Sequence, residues 1–227
     1  MGLMLRNKIK ARMLTIYTME LLIVILGISI AFQVQVYYEG KVQERQEQSA
    51  IQKLYLENEL NLSKFESLQA YRFNMEQNTR ILLAILDTPF KSNKDSLSNY
   101  IFDLQRISTP DFQEQSMDFY LSSSLNENES ELDEELIALR NLYNELSELT
   151  AHYWDKKTKY FFDFLKDEVD FANRRIISTS KLSSLEFKND IWSLFLDEIE
   201  QNRLYKDSFD RLILVQDLTR AALNSKK

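Results

Sequence analysis

The sequence predicts an all-α protein: one N-terminal transmembrane helix followed by an antiparallel helical bundle with long helices. Three observations carry that expectation. The 227 residues include only three Gly and two Pro, too few for the turns of an all-β chain of this length. From Leu21 to Tyr38 no residue is charged, a run long enough to cross a hydrocarbon core. Beyond Gly40, apolar residues recur at three- and four-residue spacing, the period of an amphipathic helix. With 44% hydrophobic residues the chain can build a core, so disorder is not expected for most of it.

The first element divides the chain into a basic N-terminus (1–12), a transmembrane helix (13–38) and an exported helical domain (39–227). Extending the uncharged run back to Met13 adds one ionisable group, Glu20. The resulting helix of about 26 residues rises ~39 Å. Arg6, Lys8, Lys10 and Arg12 precede it, and Tyr37 and Tyr38 sit at its far end as an aromatic belt does. By the positive-inside rule the N-terminus is then cytoplasmic and the C-terminal domain exported, which in a Gram-negative cell places it in the periplasm, anchored to the inner membrane. A competing reading is a cleaved signal peptide, because the most apolar stretch, Leu21–Ile28, is short and Ser29-Ile30-Ala31 fits a small-x-small cleavage pattern. Against it, apolar character continues through Phe32, Val34, Val36, Tyr37 and Tyr38.

A carboxylate inside a span costs roughly 2.5 kcal/mol or more unless it is neutral, paired or able to snorkel. At 100° per residue Glu20, Gly27, Ala31 and Tyr38 fall on one line of the helix within about 40°. Gly27 and Ala31 have the small-xxx-small spacing that lets two backbones approach closely in lipid. Glu20, Gly27 and Ala31 are therefore the expected transmembrane contact, with proton handling or an interfacial Glu beside two unremarkable small residues as the alternatives. The run from Glu20 through Leu-Leu-Ile-Val-Ile-Leu-Gly27-Ile-Ser-Ile-Ala31-Phe-Gln33, with Tyr55-Leu56-Glu57-Asn58-Glu59-Leu60 further on, resembles the opening of an uncharacterised bacterial single-pass membrane protein family. Members share an acid, an apolar run with Gly-Ile, and an Ala-x-Gln pattern. This chain departs from it in Val34-Gln35-Val36-Tyr37-Tyr38, where those relatives tend to carry Asn and Trp. The resemblance covers about the first 65 residues; it implies a single-pass topology and no assigned activity.

The elements of the exported domain follow in order. A first long helix resumes after Gly40 and runs through Ile51, Leu54, Leu62, Phe65 and Leu82 until Thr88-Pro89 stops it. Residues 90–95 form a polar connector, and a short helix spans about Ser96 to Ile107. Thr109 then makes an N-cap with Pro110 in the first helical position. The stretch 122–129 is loop-like. A second long helix starts near Ser130 and carries a broad apolar stripe, including Leu132, Leu136, Leu139, Tyr143, Leu146 and Tyr153, to about Ile177. Ser178–Ser184 holds a break, and a last helix carries Leu185, Trp192, Phe195, Ile199, Phe209, Leu212 and Val215. Three long helices and two shorter ones suffice for a bundle. No second span is expected, since Leu212-Ile213-Leu214-Val215 is short and flanked by charges.

Most chemistries lack their residues. There is no Cys, so thiol catalysis and thiolate metal sites are excluded. With Gly2, Gly27 and Gly40 the only glycines, no phosphate-cradling loop or nucleophile elbow fits. The single histidine, His152, lies near Glu145, Glu148 and Asp155, but Glu148 and His152 are four apart where a di-iron bundle uses Glu-x-x-His. No metal, cofactor or catalytic residue is expected, although glycoside-type chemistry on two unmarked carboxylates stays open. The body is acidic, with net charge −7 for the chain, and its densest basic cluster is Lys156, Lys157 and Lys159, which argues against nucleic acid as a partner. Tyr153, Tyr160, Phe164 and Phe171 fall on one face and are expected in the core, while Trp154 and Phe161 lie off it and are the candidate partner surface. The expected partners are membrane lipid and a second copy or another membrane protein.

Overall fold

The structure, a computed structural model, describes residues 2–88, 94–106, 108, 111–123 and 130–225. It is all-α apart from one small hairpin. Helix α1 (Gly2–Leu86) is followed by α2 (Lys94–Leu104), α3 (Gln115–Ser123) and α4 (Glu131–Lys156). A six-residue π-helical segment (Lys157–Phe162) then leads into a single turn, α5 (Asp163–Leu165), a two-stranded hairpin of β1 (Val169–Asp170) and β2 (Arg175–Ile176), and α6 (Leu185–Ser225). The stop at Pro89, Thr109 and Pro110 themselves, residues 124–129 of the expected loop and the side chains of the basic N-terminus lie outside the described residues. The helix expected to start at Pro110 does not form there, since 111–114 are non-helical and α3 begins only at Gln115, where Glu57 and Asn61 of α1 take up the backbone amides.

The chain forms two compact units, Met1–Ser49 and Ala50–Lys227. In the first, every side chain described from Tyr17 to Gln46 is exposed. Gly40 does not interrupt α1, contrary to the expected restart there. One Gly costs a helix only about 1 kcal/mol relative to Ala, and its neighbours are ordinary helix formers with an ion pair, Lys41 to Glu44 at 2.8 Å, one turn on.

The second unit has two apolar clusters. One gathers Met75, Leu82 and Leu83 of α1, Leu97, Ile101 and Phe102 of α2, Tyr153, Phe161 and Leu165, and Phe187, Ile191 and Phe195 of α6. The other gathers Ile51, Leu54 and Phe65 of α1, Met117 and Tyr120 of α3, Leu132, Leu136, Leu139 and Leu146 of α4, and Leu204, Tyr205, Leu212 and Val215 of α6. The order in which each helix visits the clusters gives its direction: α1 and α4 run from the second to the first, and α6 runs antiparallel to both. Helices α2 and α3 cover the two ends.

Side chains set the helix ends. Ser130 and Asp133 form a reciprocal capping box on α4, with Ser130 N to Asp133 Oδ2 at 2.9 Å and Asp133 N to Ser130 Oγ at 3.2 Å. Ser184 Oγ accepts from Phe187 N at the start of α6. The N-terminus of α3 is capped from a distance: Glu57, buried on α1, accepts from Ser116 N (2.8 Å) and Met117 N (3.1 Å). Asn61, one turn on, exchanges two hydrogen bonds with the backbone of Gln113. An acid here also complements the positive end of the α3 dipole.

The α4 helix does not reach Ile177 as the sequence pattern suggests. The chain instead turns into the hairpin, paired Val169 to Ile176 and Asp170 to Arg175. Asp170 holds its tip by accepting from Asn173 N, Asn173 Nδ2 and Arg175 Nε. Those bonds support Arg174 in the left-handed region, φ 49°, and its guanidinium lies 4.8 Å from the Phe102 ring centroid.

Candidate functional site

Glu20, Gly27 and Ala31 lie on α1 in the first unit, and all three are exposed. A Cβ built on Gly27 would meet nothing within 4 Å, so the small-residue face is open along its length in this chain. Leu21, Leu22, Ile23, Val24, Ile25 and Leu26 are likewise at least half exposed. An apolar surface on every side of a helix is what a hydrocarbon environment accommodates and water does not.

The expected partner surface is half corrected. Trp154 is 46% exposed, but Phe161 is 0% exposed, stacked on Phe187 at 6.3 Å between ring centroids. The reason is the π segment. In a regular α-helix the face of Tyr153 passes through Tyr160, seven residues on. Lys157 continues that face at the ordinary i+4 position, and the wider turns of 157–162 then carry it through Phe161 and Leu165, all of them buried. Tyr160 and Phe171, expected in the core, are 40% and 42% exposed. His152 is on the exposed side of α4.

A buried polar constellation lies just ahead of this change of register. Between the two apolar clusters lies a polar layer: Arg72 and Thr79 from α1, Thr150 and Tyr153 from α4, Lys157 from the π segment, and Glu198 and Gln201 from α6, all buried. Tyr153 Oη donates to Glu198 Oε1 at 2.6 Å, and Lys157 Nζ lies 2.9 Å from the Arg106 carbonyl oxygen and 3.4 Å from Tyr153 Oη. Arg72 Nε donates to Asn202 Oδ1, its guanidinium lies 5.6 Å from the Tyr205 ring centroid, and Asn202 Nδ2 donates to Glu76 Oε2 at 2.7 Å. No direct ion pair joins Glu198 to Arg72 or Lys157 among the described residues; the Tyr153 hydroxyl stands between acid and amine.

Electrostatics follow from burial. Desolvation lowers the Lys157 ammonium to about 7, with Glu198 opposing the shift and Arg72 adding to it. Desolvation raises the Glu198 carboxyl, against the pull of Thr79, Tyr153, Arg72 and Lys157. Burial, reinforced by Glu198, also holds the Tyr153 hydroxyl well above its ordinary value, so it stays a donor. Arg72 Nη2, Gln201 Nε2 and the hydroxyls of Tyr71 and Tyr205 are buried without a protein partner, a concentration of polar atoms that native interiors normally avoid.

Sequence reasoning missed Arg72, Lys157 and Glu198. A signal existed for all three: Arg72 falls seven residues after Phe65 and three before Met75, Glu198 falls seven after Ile191 and three after Phe195, and Lys157 falls four after Tyr153 and eleven after Leu146, each at a core position of an apolar stripe. Lys157 read as one of a basic cluster, which the structure divides. Lys156 pairs with Asp197 at 2.8 Å, Lys157 is buried, and Lys159 lies over the Tyr160 ring.

Fold and site together define the class: an all-α protein with one helix long and apolar enough, among the described residues, to cross a membrane, and a helical unit whose core is divided by a buried charged layer. Compared with protein-family models, curated proteins and solved structures, the chain matches none.

Proposed function

We propose that this chain is a membrane-anchored helical interaction protein that self-associates or serves as an accessory subunit of an envelope complex. Residues 13–38 are the anchor, the N-terminus is cytoplasmic, and residues 39–227 are held in the periplasm beside the inner membrane. The observation that carries the reading is the uncovered apolar surface of α1 over Tyr17–Tyr38, none of it buried inside the protein. The open face of Gly27 and Ala31 gives the association its surface. Membership of the single-pass family that the anchor resembles is part of the same proposal, as is the absence of enzymatic activity.

The test has two parts. A reporter fused after Lys227 should be active only as an exported form; activity of a cytoplasm-only reporter overturns the topology. Crosslinking in native membranes should then give a discrete adduct that Gly27→Ile or Ala31→Ile abolishes and Ile28→Ala preserves. Inserting bulk between close-packed helices costs roughly 1–3 kcal/mol, enough to shift the adduct about tenfold. An adduct unchanged by all three variants removes the stripe as a contact.

One observation favours a second reading, a periplasmic ligand-binding sensor acting through a partner. A groove of about 300 Å³ between α1 and α6 is lined by Phe65, Phe73, Tyr205 and Phe209 with Glu76 and Asn202, at the lower end of the size range of small-molecule sites.

A further inference from the structure

With Lys157 protonated, the buried layer holds one more positive charge than its buried carboxylate can balance. Arg72 and Lys157 are both buried basic groups, and among the described residues Glu198 is the fully buried carboxylate beside them. The other charged or titratable groups facing the layer are committed elsewhere or lie outside it. On α1, Glu76 reaches Arg72 only through Asn202 and is itself paired with Arg80, and Tyr71 is neutral. From α2 and the turn after it, Asp103 accepts from Asn78, and Arg106 presents its backbone carbonyl while its side chain is exposed. On α4, Tyr153 donates to Glu198 and Lys156 is paired with Asp197 of α6; on α6, Tyr205 adds a neutral hydroxyl. A guanidinium does not release its proton in a protein, so Glu198 offsets Arg72 and the amine is the group able to relieve the excess.

Lys157 is also the first residue of the π segment. A π turn is held by its surroundings rather than by intrinsic preference, and this one places Phe161 and Leu165 in the apolar cluster with Phe187. Charge balance at one atom and the register of the following turns therefore meet at one residue.

We propose that Lys157 is a proton-operated latch of the helical unit: in its neutral form it holds the π segment closed against the Arg106 carbonyl and Tyr153, and on protonation it loosens the segment from Lys157 through the β1–β2 hairpin. The inference goes beyond the anchor reading and does not depend on it. The direction follows from linkage. An unfolded lysine keeps its proton to about 10.5, whereas the buried one loses it above about 7. The folded form thus binds fewer protons across that window and gains stability as pH rises through it; below it the gain is absent. Glu198, shifted upward by burial, contributes a slope of opposite sign, so the Lys157 contribution is read from the difference between wild type and Lys157→Met.

The experiment uses the full chain in detergent micelles. Lysine side-chain NMR should show one amine titrating about three units below the rest, assigned by its loss in Lys157→Met. The wild-type folding equilibrium should strengthen by up to about tenfold per pH unit between pH 7 and 10, a slope absent in Lys157→Met. Amide exchange over 157–176, corrected for intrinsic rates, should be faster at pH 6 than at pH 8 in wild type. In Lys157→Arg, which stays charged, it should be fast at both. Titration of every lysine above pH 10, or equal stability slopes in wild type and Lys157→Met, overturns the proposal; equal exchange over 157–176 at pH 6 and pH 8 in wild type does so too, and if Lys157→Met does not fold, Lys157→Arg assigns the amine by the same loss of signal.

Discussion

One helix serves both units of this protein under two different rules of burial. From Tyr17 to Gln46 the side chains of α1 stand exposed on every side, and most of those up to Tyr38 are apolar. From Ala50 onward the same helix is amphipathic: Ile51, Leu54, Phe65, Met75 and Leu82 are covered, while Glu59, Lys53 and Arg80 face outward. Secondary structure does not distinguish the two stretches, because backbone hydrogen bonding is identical in both. The arrangement of apolar side chains does. A stripe is what folding in water can cover, and an all-round apolar surface needs either a protein core or a hydrocarbon solvent.

That contrast can be broken most directly by truncating large apolar residues in both units and measuring denaturant unfolding of the helical unit by circular dichroism. Phe161→Ala should cost about 3–5 kcal/mol, since it removes a fully buried ring stacked on Phe187. Leu22→Ala, in the exposed run, should change the same transition by less than about 0.5 kcal/mol. Equal effects would mean that the apolar run of the first unit is itself buried in the folded protein.

Removing Glu57 sharpens the comparison from the other side, by asking whether a polar residue on the covered stretch of α1 organises its neighbours. Glu57→Ala leaves two amide groups of α3 without their acceptor and should cost about 1–3 kcal/mol. Amide exchange of Ser116 and Met117 should accelerate while that of α4 holds; uniform acceleration would point to general destabilisation instead. The smallest effect is local. Ser130→Ala breaks the α4 capping box and should cost about 1 kcal/mol, with thermal melting of the first turn as the readout. An unchanged midpoint would show that the acidic first turn of Glu131, Asp133 and Glu134 suffices for the helix start.

Read along the chain, the elements whose periodicity is unbroken were legible and those that depend on a change of period were not. Leu132, Leu136, Leu139, Tyr143 and Leu146 repeat at α-helical spacing and are all buried as that spacing requires. The helix start near Ser130 and the break ending at Ser184 were legible as polar interruptions of the apolar pattern, and the structure adds that both serines cap the helices that follow them. The sequence by itself determined the all-α class, the exposed apolar run near the N-terminus, the break before α6, and the scarcity of residues for thiol or phosphate-loop chemistry, because composition and local spacing act on each segment independently. Tertiary structure alone decided the register beyond Lys156. An i→i+5 turn is no better locally than an i→i+4 turn, and what selects it is the burial of Phe161 and Leu165 against Phe187 and of Lys157 beside Tyr153 and the Arg106 carbonyl, partners up to 51 residues away. That single shift moved Phe161 from the surface to the core and Tyr160 outward, a rotation of side chains that no local pattern encodes.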